Sequence, residues 1–512
     1  MAERAPLHGS ALVLVTLAMG LGAFMQVLDT SIANVSIPAI AGDLAVSPDQ
    51  GTWVITSFAV SNAIVLPITG WLAKRVGEVR LFILSTLAFS IASWLCGLAP
   101  NLPLLVFFRV LQGAVAGPMI PMSQTLLLSN YPPHKRGMAL ALWSMTVVTA
   151  PIFGPILGGW ITDNISWPWI FYINIPVGMF SAYLTWQLLR HRETEIVRRP
   201  VDIVGLALLA IGIGSLQVLL DKGNDLDWFG STTIDALAVV AAVALGYFVV
   251  WELTEKHPVV DLHLFSRRNF AVGTLTLSLG YLTFFGNVVV FPLWLQTQMG
   301  YTATWAGLAA APIGLLSIVF SPIVGRNLHK FDLRILTSVA FLVFAAVSFW
   351  ASGFDTSVSY AELVAPRLVQ GIGMAFFFVP LVSITLSGIP AEQVASASGI
   401  SNFARILAGS FGTSLSITLW TRRAQFHQAM LTDPLTPYSP VATHALDLLR
   451  ERGLSSGGAL AVLARTLVQQ AVMLATNDVL WLSGCIFLAL LAAVWLARPP
   501  FMVGGGAGSD AH

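Results

Sequence analysis

Long apolar runs separated by short polar connections form the main pattern along this 512-residue chain. A helix needs about 20 predominantly apolar residues to cross a bilayer, and fourteen segments meet that length. The pattern therefore predicts an all-α integral membrane protein with fourteen transmembrane helices. Their predicted positions are 11–36, 51–73, 80–99, 102–128, 137–162, 168–189, 202–220, 233–252, 269–295, 303–325, 333–352, 360–386, 396–420 and 477–497.

The positions of lysine and arginine predict how these helices are oriented. If both termini lie inside, the inner connections carry most of the basic residues, and the short outer connections carry only Lys222. Cytoplasmic loops hold such an excess in membrane proteins. We therefore expect cytoplasmic N- and C-termini. The stretch 421–476 carries five arginines on the outer side, but long loops translocate largely regardless of charge.

Composition supports a membrane protein and excludes other classes. Hydrophobic residues make up 56% of the chain and charged residues 10%, whereas soluble domains contain about 25% charged residues. A net charge of +1 gives no sign of a nucleic-acid partner. Cys96 and Cys485 lie far apart in apolar segments, so neither a disulfide framework nor a metal site is predicted.

An internal repeat divides the chain into two halves. LVFFRVLQG resembles LVAPRLVQG, which follows 258 residues later. The same offset relates Arg109 to Arg367, Gln112 to Gln370, Gly113 to Gly371, Pro132 to Pro390, Ala150 to Ala408 and Gly154 to Gly412. Facing repeats are typical of secondary transporters, with the substrate site between the halves. The predicted parts are an N-terminal six-helix bundle (1–200), two inserted helices (201–255), the first five helices of a C-terminal bundle (256–421), an external loop (422–476), the last helix (477–498) and a flexible cytoplasmic tail (499–512).

Two charged residues inside apolar segments are candidates for the central chemistry. Asp29 is the acid that lies most clearly within such a segment, and Arg109 lies well inside the fourth segment. A carboxylate in hydrocarbon is costly, so intramembrane acids usually handle ions or protons. We predict that Arg109 faces the central cavity and keeps Asp29 ionised. Two structural alternatives stay open: Asp29 could cap or snorkel near a helix end, and Arg109 could brace helices through backbone carbonyls.

Four motifs resemble those of the major facilitator superfamily, and in particular of its fourteen-span drug:proton antiporter branch. They are LDTSIANVSIP with Asp29 and Asn34; GWLAKRVGEVR with Gly70, Lys74, Arg75, Gly77 and Glu78; LVFFRVLQG with Arg109, Gln112 and Gly113; and APIFGPILGG with Ala150, Pro151, Gly154, Pro155 and Gly158. The resemblance implies a transporter without a cofactor that uses a proton gradient to export small hydrophobic drugs through a bacterial inner membrane. It also implies a periplasmic adaptor of the membrane-fusion-protein class and an outer-membrane channel as partners. Segment 422–476 is then a periplasmic loop, which either docks the adaptor or is simply mobile.

The second motif departs from the family pattern. The family usually has an acid where this chain has Lys74 and a base where it has Glu78. Their i,i+4 spacing lets them pair if one helix continues through both. In the family this motif is thought to latch one conformation, and a reversed pair could do the same with partners of its own.

The span-5 motif combines small residues with prolines. Ala150, Gly154 and Gly158 recur every four residues, which lets two helix backbones approach closely. Pro151 and Pro155 are expected to kink the helix or limit its bending. A tight seam here would seal one side of the cavity, as an exporter requires.

Other intramembrane polar and aromatic residues are candidates for substrate contact or for ordinary packing. They are Met25, Gln26, Asn34, Asn62, Gln124, Trp143, Phe284, Phe285, Asn287 and Asn402. Apolar walls with few polar groups suit amphiphilic ligands. Arg367 and Arg405 are intramembrane cations of the second half. Arg367 has no evident acid partner, and we expect a structural or anion-facing role for it.

The sequence thus predicts a proton-driven multidrug antiporter. A symporter of the same fold, or an exporter dedicated to one siderophore or metabolite, is the alternative, and the span-5 antiporter motif argues against the symporter. An embedded enzyme is disfavoured because the chain has no HExxH, Cys/His cluster, P-loop or GxSxG nucleophile context.

Overall fold

The computed structural model describes residues 7, 9–132, 143, 150, 153–194, 196, 202–223, 225–255, 258–327, 330–436 and 438–501, and the regular structure in these ranges is helical throughout. The N-terminal half contains α1 (Gly9–Asp43), α2 (Pro48–Gly51), α3 (Trp53–Val65), α4 (Thr69–Val76), α5 (Glu78–Gly97), α6 (Leu102–Ala116), α7 (Met119–Asn130), α8 (153–164), α9 (Trp169–Tyr172) and α10 (Asn174–Leu189). The inserted helices are α11 (Ile203–Lys222) and α12 (Thr232–Thr254). The C-terminal half contains α13 (Arg268–Gln298), α14 (Ala303–Ala310), α15 (Ile313–Asn327), α16 (Leu333–Ala351), α17 (Tyr360–Leu386), α18 (Ala391–Thr432), α19 (Pro440–Glu451) and α20 (Ser456–Val494).

The described part of each predicted apolar segment lies in one of these helices or in a broken pair of them. Within the described ranges, ten helices are long and apolar enough to span a membrane. The pair formed by Pro48–Val65 and Thr69–Val76, bent by 62°, would make eleven. The count of fourteen stays a prediction, because the other segments are broken, partly outside the described residues or less apolar.

The two halves repeat the same close helix contact, which agrees with the internal sequence repeat. Gly113 of α6 packs so closely on α3 that a Cβ atom would collide with the Phe58 carbonyl oxygen. Gly371 of α17 packs on the Ile313 carbonyl oxygen of α15 in the same way. Small residues allow such backbone approach between membrane helices. The second and fourth spans of each half are therefore joined by one kind of seam.

The halves meet closely at one end of the bundle. We call this end, which holds Asp43 and Ser456, the loop end, and we call the end where α1 begins and α20 finishes the tail end. At the loop end an apolar cluster joins α1 and α3 to α13 and α18, and it contains Ala33, Ile37, Ile55, Val289, Val290, Leu293 and Ile417. Gln296 of α13 adds a hydrogen bond to the Val35 carbonyl of α1 at 2.9 Å. The space between the halves is thus closed at this end.

The predicted loop 422–476 is largely helical, which corrects the expected start of the last helix at 477. α18 continues to Thr432, and α20 begins at Ser456. Asp478 of α20 binds Arg423 and His427 of α18, each at 2.6 Å from the same carboxylate oxygen. The two extended helices therefore form a pinned hairpin, connected by the amphipathic α19.

Candidate functional site

The centre of the N-terminal half holds the predicted Asp29–Arg109 pair. Asp29 lies on α1 and Arg109 on α6, and both side chains are fully buried. Arg109 Nη1 donates to Asp29 Oδ2 at 2.5 Å. This contact matches the pairing expected from the sequence. Each charge loses its hydration on burial, and the attraction of the opposite charge partly replaces it.

Two amides and a hydroxyl complete the network around the carboxylate. Asn174 Nδ2 and Gln112 Nε2 donate to Asp29 Oδ1 at 2.7 and 3.1 Å. The same two amides donate to Ser93 Oγ, each at 2.9 Å. Sequence reasoning missed Asn174 and Ser93. The only signal for Asn174 was an amide inside the sixth apolar segment, which does not specify a partner.

Arg109 is also a brace between helices, so the structural alternative describes part of its role. Its Nε donates to the Val54 carbonyl oxygen of α3 at 2.8 Å, and its Nη1 donates to Gln112 Oε1 at 2.6 Å. The ring of Phe58 lies 4.3 Å from the guanidinium carbon. Among the described residues Nη2 has no hydrogen-bond partner. One guanidinium donor thus remains available for rearrangement.

The pair does not face a central cavity, and that prediction was wrong. Neither side chain is exposed, and their partners belong to α3, α5, α6 and α10 within the same bundle. The reason is chemical. The Gln112 and Asn174 amides and the Val54 carbonyl oxygen form hydrogen bonds to the two charges, so no water-filled cavity is needed to solvate them.

Comparison with known proteins identifies the family of this chain. The profile of the Major Facilitator Superfamily matches residues 19–413. The chain belongs to the major facilitator superfamily. It is 53% identical to the multidrug export protein EmrB of Escherichia coli strain K12 over all of both chains. It is 55% identical to the Haemophilus influenzae EmrB over 97% of this chain and 98% of the relative. The fatty acid resistance protein FarB of Neisseria gonorrhoeae is 51% identical over 98% of this chain and 99% of its own.

Solved structures of other transporters share the fold at low sequence identity. A bacterial homologue of the human lysosomal transporter Spinster, inward-facing and unoccupied, gives a TM-score of 0.61 at 14% identity, covering 96% of this chain and 100% of its own. The peptide transporter POT in complex with sulfate gives 0.64 at 15% identity, covering 97% and 98%. These likenesses concern the fold alone.

The superfamily's span-5 motif forms two seams at once. Gly154 and Gly158 of α8 pack on α1, where a Cβ atom would meet the Ser31 side chain and the Ile32 carbonyl oxygen. On the other side, Gly307 of α14 packs on the Pro155 carbonyl oxygen. Asp163 accepts the Thr304 amide at 2.7 Å and thereby ties α8 to the start of α14. Ala150 is fully buried, and Pro151 lies outside the described residues. The small face thus allows a close helix approach, here to α1, and the other side of α8 packs on the C-terminal half.

The loop motif is built differently from the predicted Lys74–Glu78 arrangement. α4 ends at Val76, and Gly77 has a φ of 97°, so no single helix carries both charges at i,i+4 spacing. Glu193 instead caps α5, accepting the Val79 and Arg80 amides at 3.1 and 2.9 Å. Negative charge is favourable at a helix N-terminus. In the rest of the motif, Gly70 and Lys74 are exposed, and Arg75 lies over the Trp71 ring.

The predicted substrate-contact residues do not form one cluster. Met25 and Phe284 belong to the apolar cores of the two bundles. Gln26, Asn34 and Asn62 are buried, and their side-chain oxygens have no hydrogen-bond partner among the described residues. Gln124 is half-buried, and Trp143 Nε1 donates to Ser123 at 2.9 Å. The three unsatisfied amides are the ones best suited to a polar ligand group.

Arg405 forms a separate cationic and aromatic group. Its guanidinium carbon lies 4.6 Å from the Tyr281 ring and 5.3 Å from the Phe378 ring. Phe285 stacks on Tyr281 with ring centres 4.5 Å apart. Asn402 Oδ1 accepts a hydrogen bond from Arg405 Nη2 at 3.1 Å. The group is partly exposed and combines a positive charge with flat apolar surface.

A second intramembrane carboxylate was missed by sequence reasoning. Asp221, near the loop end of α11, accepts hydrogen bonds from Thr56 of α3 at 2.8 Å, from Gln217 at 2.9 Å and from Ser414 of α18. The sequence placed it one residue beyond an apolar segment, where a solvated cap is usual. Only the fold shows that it joins an inserted helix to both halves.

Proposed function

We propose that this protein exports hydrophobic and amphiphilic toxic compounds across a bacterial inner membrane in exchange for protons. The observation that carries the proposal is the buried Asp29–Arg109 network, present in a chain whose full-length relatives are named multidrug export proteins. Proton handling is the usual task of an acid at such depth. No cofactor is required, because the proton gradient supplies the energy.

Protonation of Asp29 would change the energy of the closed loop end. A neutral carboxyl group would leave Arg109 buried without a counter-charge, which is a costly state. α1 carries Asp29 and, two turns further, Ile37 of the apolar cluster that joins the halves. A shift of α1 that hydrates Arg109 would therefore disturb this seam. We infer that proton binding and opening of the loop end are coupled through α1.

Transport by purified protein tests this proposal. Proteoliposomes with an imposed pH gradient would contain a fluorescent hydrophobic dye as substrate and a pH-sensitive dye as reporter of proton flux. Asp29→Asn should abolish substrate-linked proton flux, while Asp235→Asn, which changes an exposed acid in the first turn of α12, should retain it. Dye export by Asp29→Asn at the wild-type rate would refute coupling through Asp29. Dye uptake along with protons would instead indicate a symporter.

We further propose that export continues through an EmrA-like periplasmic adaptor and a TolC-like outer-membrane channel. The hairpin of α18 and α20 supports this, because its connecting segment exposes large apolar side chains, including Tyr438 (93% exposed) and Val441 (73%). Exposed apolar surface of this kind is common at protein interfaces. Replacing 433–455 by a Gly/Ser linker should abolish co-purification with a co-expressed adaptor and leave transport in proteoliposomes intact. Unchanged co-purification would place the adaptor contact elsewhere.

An exporter dedicated to one class of substrate is the second candidate. One relative at 51% identity is named a fatty acid resistance protein, and the Arg405 group offers a positive charge beside aromatic rings. A carboxylate with an apolar chain fits that combination. Competition between a long-chain fatty acid and a neutral dye in the proteoliposomes separates the two: a broad exporter transports both, and a dedicated one only the acid.

A further inference from the structure

A cavity inside the C-terminal half contains a buried cation and several polar groups. It lies among α13, α16, α17 and α20, and its polar lining consists of Asn287, Ser348, Arg367, Gln370 and Thr476. Its volume is about 20 Å³, enough for one small ion or water molecule. These four helices are the counterparts in the repeat of α1, α5, α6 and α10, which hold the Asp29 network in the N-terminal half.

Comparison of the two repeated halves shows that this cavity lacks a carboxylate. Arg367 and Gln370 reproduce Arg109 and Gln112, including the hydrogen bond from arginine Nη1 to glutamine Oε1, here 2.8 Å. Asn287 lies 258 residues after Asp29, the offset that relates all the repeated residues. A neutral amide therefore stands where the first half has its carboxylate. The second half therefore has the arginine but lacks the carboxylate that pairs with it in the first half.

Arg367 is buried without an acidic partner. Its exposed fraction is 8%, and none of the ion pairs within the described ranges includes it. Among the described residues, its guanidinium group has a hydrogen bond to Gln370 and lies against the Phe291 ring, whose centre is 3.8 Å from the guanidinium carbon. One amide and one ring do not replace the hydration of a guanidinium, which has five N–H donors. The remaining donors need an acceptor.

We propose that this cavity binds a compact anion, a halide or a carboxylate group, as the counter-charge of Arg367. Asn287 Oδ1 accepts the Ser483 hydroxyl at 3.3 Å, and its NH₂ group, which has no hydrogen-bond partner among the described residues, can donate to the anion. Ser348 supplies a hydroxyl on the same lining. The bound anion takes the place that the Asp29 carboxylate occupies in the other half. This site does not depend on the proposed proton coupling.

Thermal unfolding of the purified full-length protein in detergent tests the proposal. The unfolding midpoint would be measured at constant ionic strength while chloride, bromide, acetate or dodecanoate replaces gluconate, a carboxylate whose polyhydroxylated chain does not suit the mostly apolar lining of the cavity. Wild-type protein should show a saturable rise with at least one of these anions. Saturation by chloride or bromide identifies a free halide, whereas saturation by dodecanoate alone identifies the head group of an amphiphile. No saturable rise with any of them would overturn the proposal.

Three variants distinguish this site from weak binding elsewhere. Arg367→Gln should weaken the anion response at least about tenfold, the loss expected when a charge-assisted hydrogen bond is removed. Asn287→Asp should also abolish the response, because it supplies an internal carboxylate, and its midpoint without added anion should equal or exceed that of wild type. Arg405→Gln should respond like wild type. An undiminished response in Arg367→Gln or Asn287→Asp would overturn the proposal even if the other variant did not fold.

Discussion

Asp29 illustrates how a buried charge is tolerated in a membrane helix. Its carboxylate has an arginine and two amides as donors, and a buried carboxylate needs such partners to remain ionised. The carboxylate and Arg109 are therefore interdependent. Neither can be removed without leaving the other as an uncompensated charge or donor group.

This interdependence predicts a non-additive pair of substitutions. Asp29→Asn alone should destabilise the protein by about 3–5 kcal/mol, because it leaves a buried guanidinium without a counter-charge. Adding Arg109→Gln should restore part of that loss, since both members of the pair are then neutral. Thermal unfolding of the two single variants and the double variant measures the effect. A double variant less stable than either single one would contradict it.

Close seams between small residues and a few buried polar links join several elements of the fold, in addition to the apolar core clusters. The glycines of α8 allow contact with α1 on one side and α14 on the other. Asp221 links α11 to α3 and α18. The contact of α8 with α14 and the Asp221 link to α18 connect different parts of the molecule, so changes there should affect transport more than folding.

A larger side chain at Gly158 should disturb the close contact between α1 and α8. Gly158→Val places methyl groups against the Ile32 carbonyl oxygen and should cost about 1–3 kcal/mol by overpacking. Gly214→Val on α11 is the control, because a Cβ atom there meets nothing within 4 Å. Dye transport in proteoliposomes should fall sharply in the first variant and remain near wild type in the second. Equal activities would show that close α1–α8 contact is not required.

A further prediction concerns the buried carboxylate of Asp221 on the inserted helix α11. Asp221→Asn should destabilise the protein by about 1–3 kcal/mol, because an amide offers one acceptor oxygen to the three donors that the carboxylate now satisfies. The transport rate should also fall, because the hydrogen bond that links α3 to α11 is weakened. Asp225→Asn, an exposed acid of the same connection, should have little effect. A stable, fully active Asp221→Asn protein would exclude a functional role for this link.

The whole molecule has two distinct ends, and the distribution of basic residues predicts which side of the membrane each end faces. Cysteine labelling in intact cells tests it, in a background with Cys96 and Cys485 changed to serine. Tyr438→Cys at the loop end should react with a membrane-impermeant maleimide added to the periplasm. Lys330→Cys, between α15 and α16, should react only after the membrane is opened. The reverse pattern would invert the predicted topology.

The helical segments, the internal repeat and the Asp29–Arg109 pair could be predicted from the sequence. Apolar length, a fixed residue offset and the high cost of intramembrane charge are local properties that can be read along one chain. They could not identify Asn174, Ser93 or Asp221 as partners, because hydrogen bonds between helices depend on how each helix is rotated and which neighbours it has. The tertiary structure was needed to show that the Asp29 pair lies inside a bundle and that Asn287 and Arg367 line one cavity, since packing of four helices brings those residues together.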